Sequence, residues 1–112
     1  MGDVASITDS PFDAQVFKTD IPVLVEFRAA WCEACRAVTS MLDEIARQYV
    51  GRLKVAEIDV DRSGQAAFRH RVSSIPTLIL FANGQEVERL DGKRAASREE
   101  VLSRVLPYLY LD

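Results

Sequence analysis

Residues 23–38 read VLVEFRAAWCEACRAV, and the fold follows from how this stretch changes character. From Val23 to Phe27 it is apolar except for Glu26. Strands buried on both faces, as in the centre of a sheet covered by helices, read as continuous runs of this kind. From Glu33 onward Val38, Leu42, Ile45 and Tyr49 recur at helical spacing, with Gly51 as a stop just past the end. A buried strand therefore hands over to a helix, and both cysteines and the only tryptophan stand at the handover.

Working outward, LKVAEIDV (Leu53 to Val60) is a second buried strand. A helix joins it to the first, so the two are expected to be parallel with a right-handed crossover. A short helix near Ser63 to His70 leads into IPTLILFANGQEVERL, where two strand runs flank Asn83-Gly84, the strongest short hairpin signal. SREE at Ser97 to Glu100 reads as a capping box opening an amphipathic helix with Val101, Leu102, Val105 and Leu106 inward. Upstream, Ser10 as N-cap, Pro11 at the first helical position and Asp13 in the first turn predict a short helix to Lys18. A short strand near Ala5 to Thr8 completes the pattern. The expected class is α/β: one domain over residues 1–112, with helices on both faces of a mixed sheet, parallel at first and antiparallel at the hairpin.

The composition narrows the function. A chain of 112 residues with 48% hydrophobic residues can bury one core without staples. A net charge of -3 with no basic block argues against a nucleic-acid binder. The apolar runs are strand-sized, far below the roughly 20 residues of a membrane span. The opening MGDVASITDS has no basic or apolar leader. A soluble protein of a reducing compartment is expected, although a mature exported chain would read the same.

Two cysteines cannot form a disulfide scaffold. Cys32 falls at the helix N-terminus, beyond the carboxyl end of a strand, where chemistry gathers in open α/β sheets. Unpaired backbone N–H groups and the helix dipole there stabilise a thiolate. Cys35 lies one turn on, where Cβ atoms are typically about 5–6 Å apart. A disulfide wants roughly 3.5–4.5 Å, a gap that a tightened first turn closes. Cys32 is then the attacking thiol and Cys35 the resolving one. Inert core cysteines or half a zinc site would show the same motif. Zinc needs about four ligands, and the only other soft ligand is His70, on a different predicted helix; no metal is expected.

With these residues in place the chain resembles the thioredoxins, from about Ser6 to Leu109. The resemblance rests on LVEFRAAWCEAC, LDEIA, VAEIDVD, SSIPTLILFANGQ and Gly92, in family order and spacing. It implies the thioredoxin fold and a cytoplasmic oxidoreductase that reduces disulfides of other proteins. It further implies re-reduction by a reductase of the thioredoxin-reductase kind, with no cofactor beyond the Cys32–Cys35 disulfide itself. Pro76 matches the family's cis-proline, which exposes the preceding backbone for strand-like pairing with substrate. Trp31, Ser74, Ile75 and Gly92 match the rim on which substrates dock. Core packing is the alternative for Trp31 and Ile75, and a plain turn for Gly92.

Departures from the family pattern surround the dithiol. Glu33-Ala34 replaces the usual Gly-Pro, which relaxes the turn. The Glu33 charge disfavours a Cys32 thiolate, whereas Arg36, and Arg28 if it points the same way, favour one. The family's buried aspartate is Glu26 here, its partner lysine is Glu57, and a tryptophan on the first long strand is Arg28. By the two-residue strand period Glu26 and Arg28 share a face. The expectation is that Glu26 relays the Cys35 proton through water, with Arg28 as compensating charge and Glu57 raising the Glu26 pKa. A structural ion pair between Glu26 and Arg28 is the alternative. Ser40 replaces a helix-kinking proline, and Asp91 and Lys93 make the rim around Gly92 more charged.

The leading function is dithiol–disulfide exchange with protein substrates by a monomer. A thioredoxin-fold binding, chaperone or redox-sensing module is the alternative from another class. A more oxidising oxidase or isomerase is a third reading, kept open by the altered dithiol loop.

Overall fold

The computed structural model describes residues 4–9, 12, 14, 16 and 18–109. Its strands are β1 (Ala5–Ile7), β2 (Val23–Arg28), β3 (Lys54–Asp59), β4 (Thr77–Ala82) and β5 (Gln85–Asp91). Three helices have defined bounds: α1 (Glu33–Gln48), α2 (Gly64–Arg69) and α3 (Arg98–Leu109). Asp9, Phe12, Ala14 and Val16 are also helical. The expected roles of Ser10, Pro11 and Asp13 lie outside the described residues. Asp9 is helical before the expected start, and Lys18 lies beyond the helical residues.

The five strands form one sheet in the order β1-β3-β2-β4-β5. β1 and β2 run parallel to β3, whereas β4 is antiparallel to both β2 and β5. The antiparallel part therefore begins at the β2–β4 pairing and is not confined to the hairpin. Asn83 (φ 53°) and Gly84 (φ 77°) both occupy the left-handed region. That is the two-residue turn whose twist matches a hairpin, and the Asn-Gly pair accepts it at little cost.

The apolar run of β2 splits by alternation. Val23, Val25 and Phe27 pack with Phe12, Val16, Ile58, Ala66, Ala67, Ile79 and Phe81 on one face. Leu24 packs with Val38, Leu42, Ile45, Leu78, Leu80, Val101 and Val105 of α1, β4 and α3 on the other. Glu26 belongs to the face of Leu24, beneath α1. The edges are protected: β1 has three residues, and β5 is largely polar with an irregularity opposite Leu80 and Phe81.

The capping box at α3 is half formed. The Glu100 N–H donates to Ser97 Oγ at 3.2 Å. The reciprocal partner of the Ser97 N–H is the Arg94 carbonyl at 3.2 Å, while the Glu100 carboxylate lies 3.5 Å from Arg104 Nε. A cation one turn along the helix has taken the side chain that would have reached back. α1 runs unbroken through Ser40.

Candidate active site

The register gathers the site at one end of the sheet. Phe27 pairs with Thr77, Thr77 with Asp91, and Arg28 with Asp59. The loop after β2 that carries the cysteines, the Ile75–Pro76 segment before β4 and Gly92 after β5 therefore leave the same edge. No short-range pattern contains this meeting, because it joins residues about forty to sixty positions apart.

Cys32 is the N-cap of α1, with extended backbone (φ −84°, ψ 104°), so the first helical residue is Glu33. Cys32 and Cys35 form a disulfide with Cα atoms 5.3 Å apart, within the range that bridged cysteines adopt. The Cys35 N–H donates to Cys32 Sγ at 3.2 Å, the bond of an N-capping side chain. The same N–H geometry would stabilise a thiolate at Cys32 once the disulfide is opened. Cys32 retains 6% of its surface, whereas Cys35 is fully buried. Ala29 shares their cluster, and Val60 and Ile75 pack against it. Glu33, Ala34 and Arg36 are exposed around the turn.

Trp31 is 69% exposed, so it is a rim residue and not part of the core. Its indole N–H donates to Asp61 Oδ2 at 2.7 Å. Trp31, Ser74 and Ile75 line one open cavity of about 390 Å³ with Val60, Ala67, Val72 and Ser73. The Ile75–Pro76 peptide bond is cis, and Pro76 is buried beside the rim. Gly92 lies outside the lining of that cavity; it is exposed, with φ +56°. Asp91 and Lys93 are exposed beside it.

Behind the cysteines the alternative of a direct Glu26–Arg28 ion pair is not formed, although the Arg28 charge still acts on Glu26. Arg28 Nη1 lies 3.5 Å from Glu57 Oε2, so its ion pair is with Glu57 and not with Glu26. Glu26 is fully buried and accepts from the Thr39 hydroxyl at 2.6 Å through Oε1. Its Oε2 has no hydrogen-bond partner, and neither has Arg28 Nε. Burial is the main reason that the Glu26 carboxyl is pushed up from 4.5 to about 7. The Thr39 hydrogen bond and the Arg28 charge pull it down, while Glu57 and Asp43 push it further up. Burial raises Glu57 too, against the pull of Arg28.

Sequence reasoning missed Thr39 and Asp61. Thr39 had a signal, since it stands one helical turn after Cys35 on the side facing the sheet. Asp61 had none, because its partner is thirty positions away. Among the described residues no group of three or more His, Cys, Asp or Glu could hold a metal ion. No described helix is long and apolar enough to cross a membrane.

Comparison with known proteins points the same way as the geometry. The family model described as Thioredoxin matches residues 3–104. Thioredoxin 1 of Nostoc sp. is 45% identical over 92 residues, 82% of this chain and 86% of that protein. The thioredoxin of Mycobacterium tuberculosis is 45% identical over 106 residues, 92% of this chain and 90% of that protein. A bifunctional thioredoxin reductase/thioredoxin of Mycobacterium leprae is 43% identical over 111 residues. The match spans 96% of this chain and 24% of that protein.

Proposed function

Because this chain belongs to the thioredoxin family and is a thiol–disulfide oxidoreductase, we propose that it reduces disulfides of other proteins by the route that its two unequal sulfurs favour. The observation that supports this order is their exposure: Cys32 keeps 6% of its surface, whereas Cys35 keeps none. In the reduced protein the Cys32 thiolate attacks one sulfur of the substrate disulfide. A Cys32–substrate mixed disulfide forms and the other substrate sulfur leaves as a thiolate. Cys35 gives up its proton and attacks Cys32 Sγ. The Cys32–Cys35 bond closes and the second substrate thiolate departs.

Glu26 accepts the Cys35 proton in this reading. A carboxyl near 7 is well matched to proton exchange at neutral pH. Substrate docks over Trp31, Ser74 and Ile75, with Pro76 and Gly92 along the same edge. Glu33, Arg36 and the Arg28–Glu57 pair tune the electrostatics around the sulfurs. Two electrons from a reductase dithiol reopen the disulfide. The Mycobacterium leprae relative, whose name joins a thioredoxin reductase to a thioredoxin, supports a donor of that class. The reading assigns no further cofactor and treats the chain as a cytoplasmic monomer.

A binding or chaperone module is not favoured, since the dithiol is intact and the relatives are named thioredoxins. Insulin disulfide reduction with dithiothreitol tests the proposal. Acceleration over reductant alone is expected, and none would sink it. Equilibration against glutathione separates a reducing role from an oxidising one.

A further inference from the structure

The Thr39 hydroxyl lies between two acceptors. Its oxygen is 2.6 Å from Glu26 Oε1 and 2.9 Å from the Cys35 carbonyl oxygen, in donating geometry to each. A hydroxyl has one proton, so it serves only one of them at a time. Which one it serves depends on Glu26. An ionised carboxylate only accepts, and so it takes the Thr39 proton. A protonated carboxyl can instead donate to the Thr39 oxygen, and the Thr39 proton then turns to the Cys35 carbonyl. Both protonation states are satisfied by reversing one short chain of hydrogen bonds.

A threonine within a helix often bonds the carbonyl one turn back, which accounts for the 2.9 Å contact on its own. It does not account for the contact with a fully buried carboxyl on the neighbouring strand. Thr39 is the one hydrogen-bond donor that the described residues bring to Glu26, whose second oxygen has none.

We propose that Thr39 is a positioning residue for the redox reaction, its hydroxyl coupling the proton on Glu26 to the backbone of the resolving cysteine. This rests on the reading of Glu26 as the proton acceptor for Cys35. The other groups facing Glu26 leave that role to Thr39. Arg28, on the same strand, is engaged by Glu57. Glu57, the register partner on β3, is itself a carboxyl. Asp43 on α1 is a carboxyl too, and accepts from the Val4 N–H at 3.2 Å. The β4 register partner, Leu78, and α3 residues Val101 and Val105 on this face carry no charge.

Thr39→Val keeps the shape and removes the hydroxyl. Because that hydrogen bond favours the ionised form, its loss is expected to raise the Glu26 midpoint by about one pH unit. Carbon-13 NMR of labelled glutamate carboxyls in the whole protein reads this directly. The pH profile of mixed-disulfide resolution, followed in a single turnover with a model disulfide peptide, is expected to move by the same amount. Thr39→Ser restores both, and Thr39→Ala repeats the shift if valine perturbs packing. An unmoved Glu26 midpoint in both hydroxyl-free variants overturns the inference. So does a moved midpoint with an unmoved resolution profile, and Glu26→Gln then locates the fault. If Glu26→Gln flattens the profile, only the coupling through Thr39 fails; if it leaves the profile intact, the proton-acceptor reading itself fails.

Discussion

Arg28 Nη1 lies 3.5 Å from Glu57 Oε2, reaching diagonally from β2 to β3 and leaving Glu26 on its own strand without a cation in contact. Two carboxyls thus stand beside one guanidinium, and the more deeply buried of them is not its partner. The partly exposed pair keeps access to water, while Glu26 is closed in beneath α1 with a single neutral donor. A family resemblance that places one buried acid behind the cysteines therefore describes only part of this interior.

The buried acid makes folding stability depend on pH. Glu26 titrates at about 7 in the folded protein against 4.5 ordinarily. Between those values the folded chain keeps a proton that the unfolded chain has released. The contribution is thus greatest below 4.5 and is lost as pH rises through 7. Glu26→Gln removes this dependence. Relative to that variant, the wild type is expected to lose about 2–3 kcal/mol between pH 5 and pH 8 in urea denaturation. Parallel stability profiles for the two proteins would contradict the assigned environment of Glu26.

The unequal exposure of the sulfurs predicts unequal mutants. Cys35→Ser keeps the attacking thiol and is expected to accumulate a stable mixed disulfide on Cys32 with a substrate protein, visible by mass spectrometry. Cys32→Ser is expected to form no adduct. Both should fall to the rate of reductant alone in insulin reduction. An adduct on position 35 in the Cys32→Ser protein at a comparable rate would reverse the proposed order.

The hydrogen bond from Trp31 to Asp61, at 2.7 Å, holds the indole at the cavity over which substrate is proposed to dock. Asp61→Ala removes the acceptor without touching the sulfurs. A bond worth about 1 kcal/mol predicts a rise in KM for a protein disulfide of about fivefold, with kcat unchanged. An equal loss in kcat with KM constant would show that the contact acts on the chemistry and not on docking.

Glu33 is exposed in the first turn of α1, directly after the capping cysteine. Its charge opposes a thiolate at Cys32, and salt screens it. Glu33→Gln is expected to speed iodoacetamide alkylation of Cys32 at pH 6 by about twofold in low salt, the gain vanishing near 1 M salt. A gain that persists at high salt would point to a change in the turn itself.

Much of the fold was legible because its signals are short-ranged. Asn83-Gly84 announced the hairpin through a backbone conformation that few other pairs adopt without strain. The Val23–Phe27 run announced a strand with two covered faces, and Cys32-x-x-Cys35 at the following helix start announced the dithiol. The capping box at Ser97 was legible only in part, because Arg104 competes for the Glu100 carboxylate. The direct Glu26–Arg28 ion pair held as an alternative does not form, because strand periodicity gives the face a side chain occupies, not the neighbour it reaches across strands.

By itself the sequence determined which segments are strand or helix and that two sulfurs share the first turn of a helix. Those are properties of a few consecutive residues, set by side-chain period and backbone preference. Only the tertiary structure decided that Thr39 meets Glu26, that Asp61 holds Trp31, and that Ile75 packs against the cysteines. Contacts of that kind depend on how α1 and the strand ends settle on the sheet, and many chain segments fix that placement together.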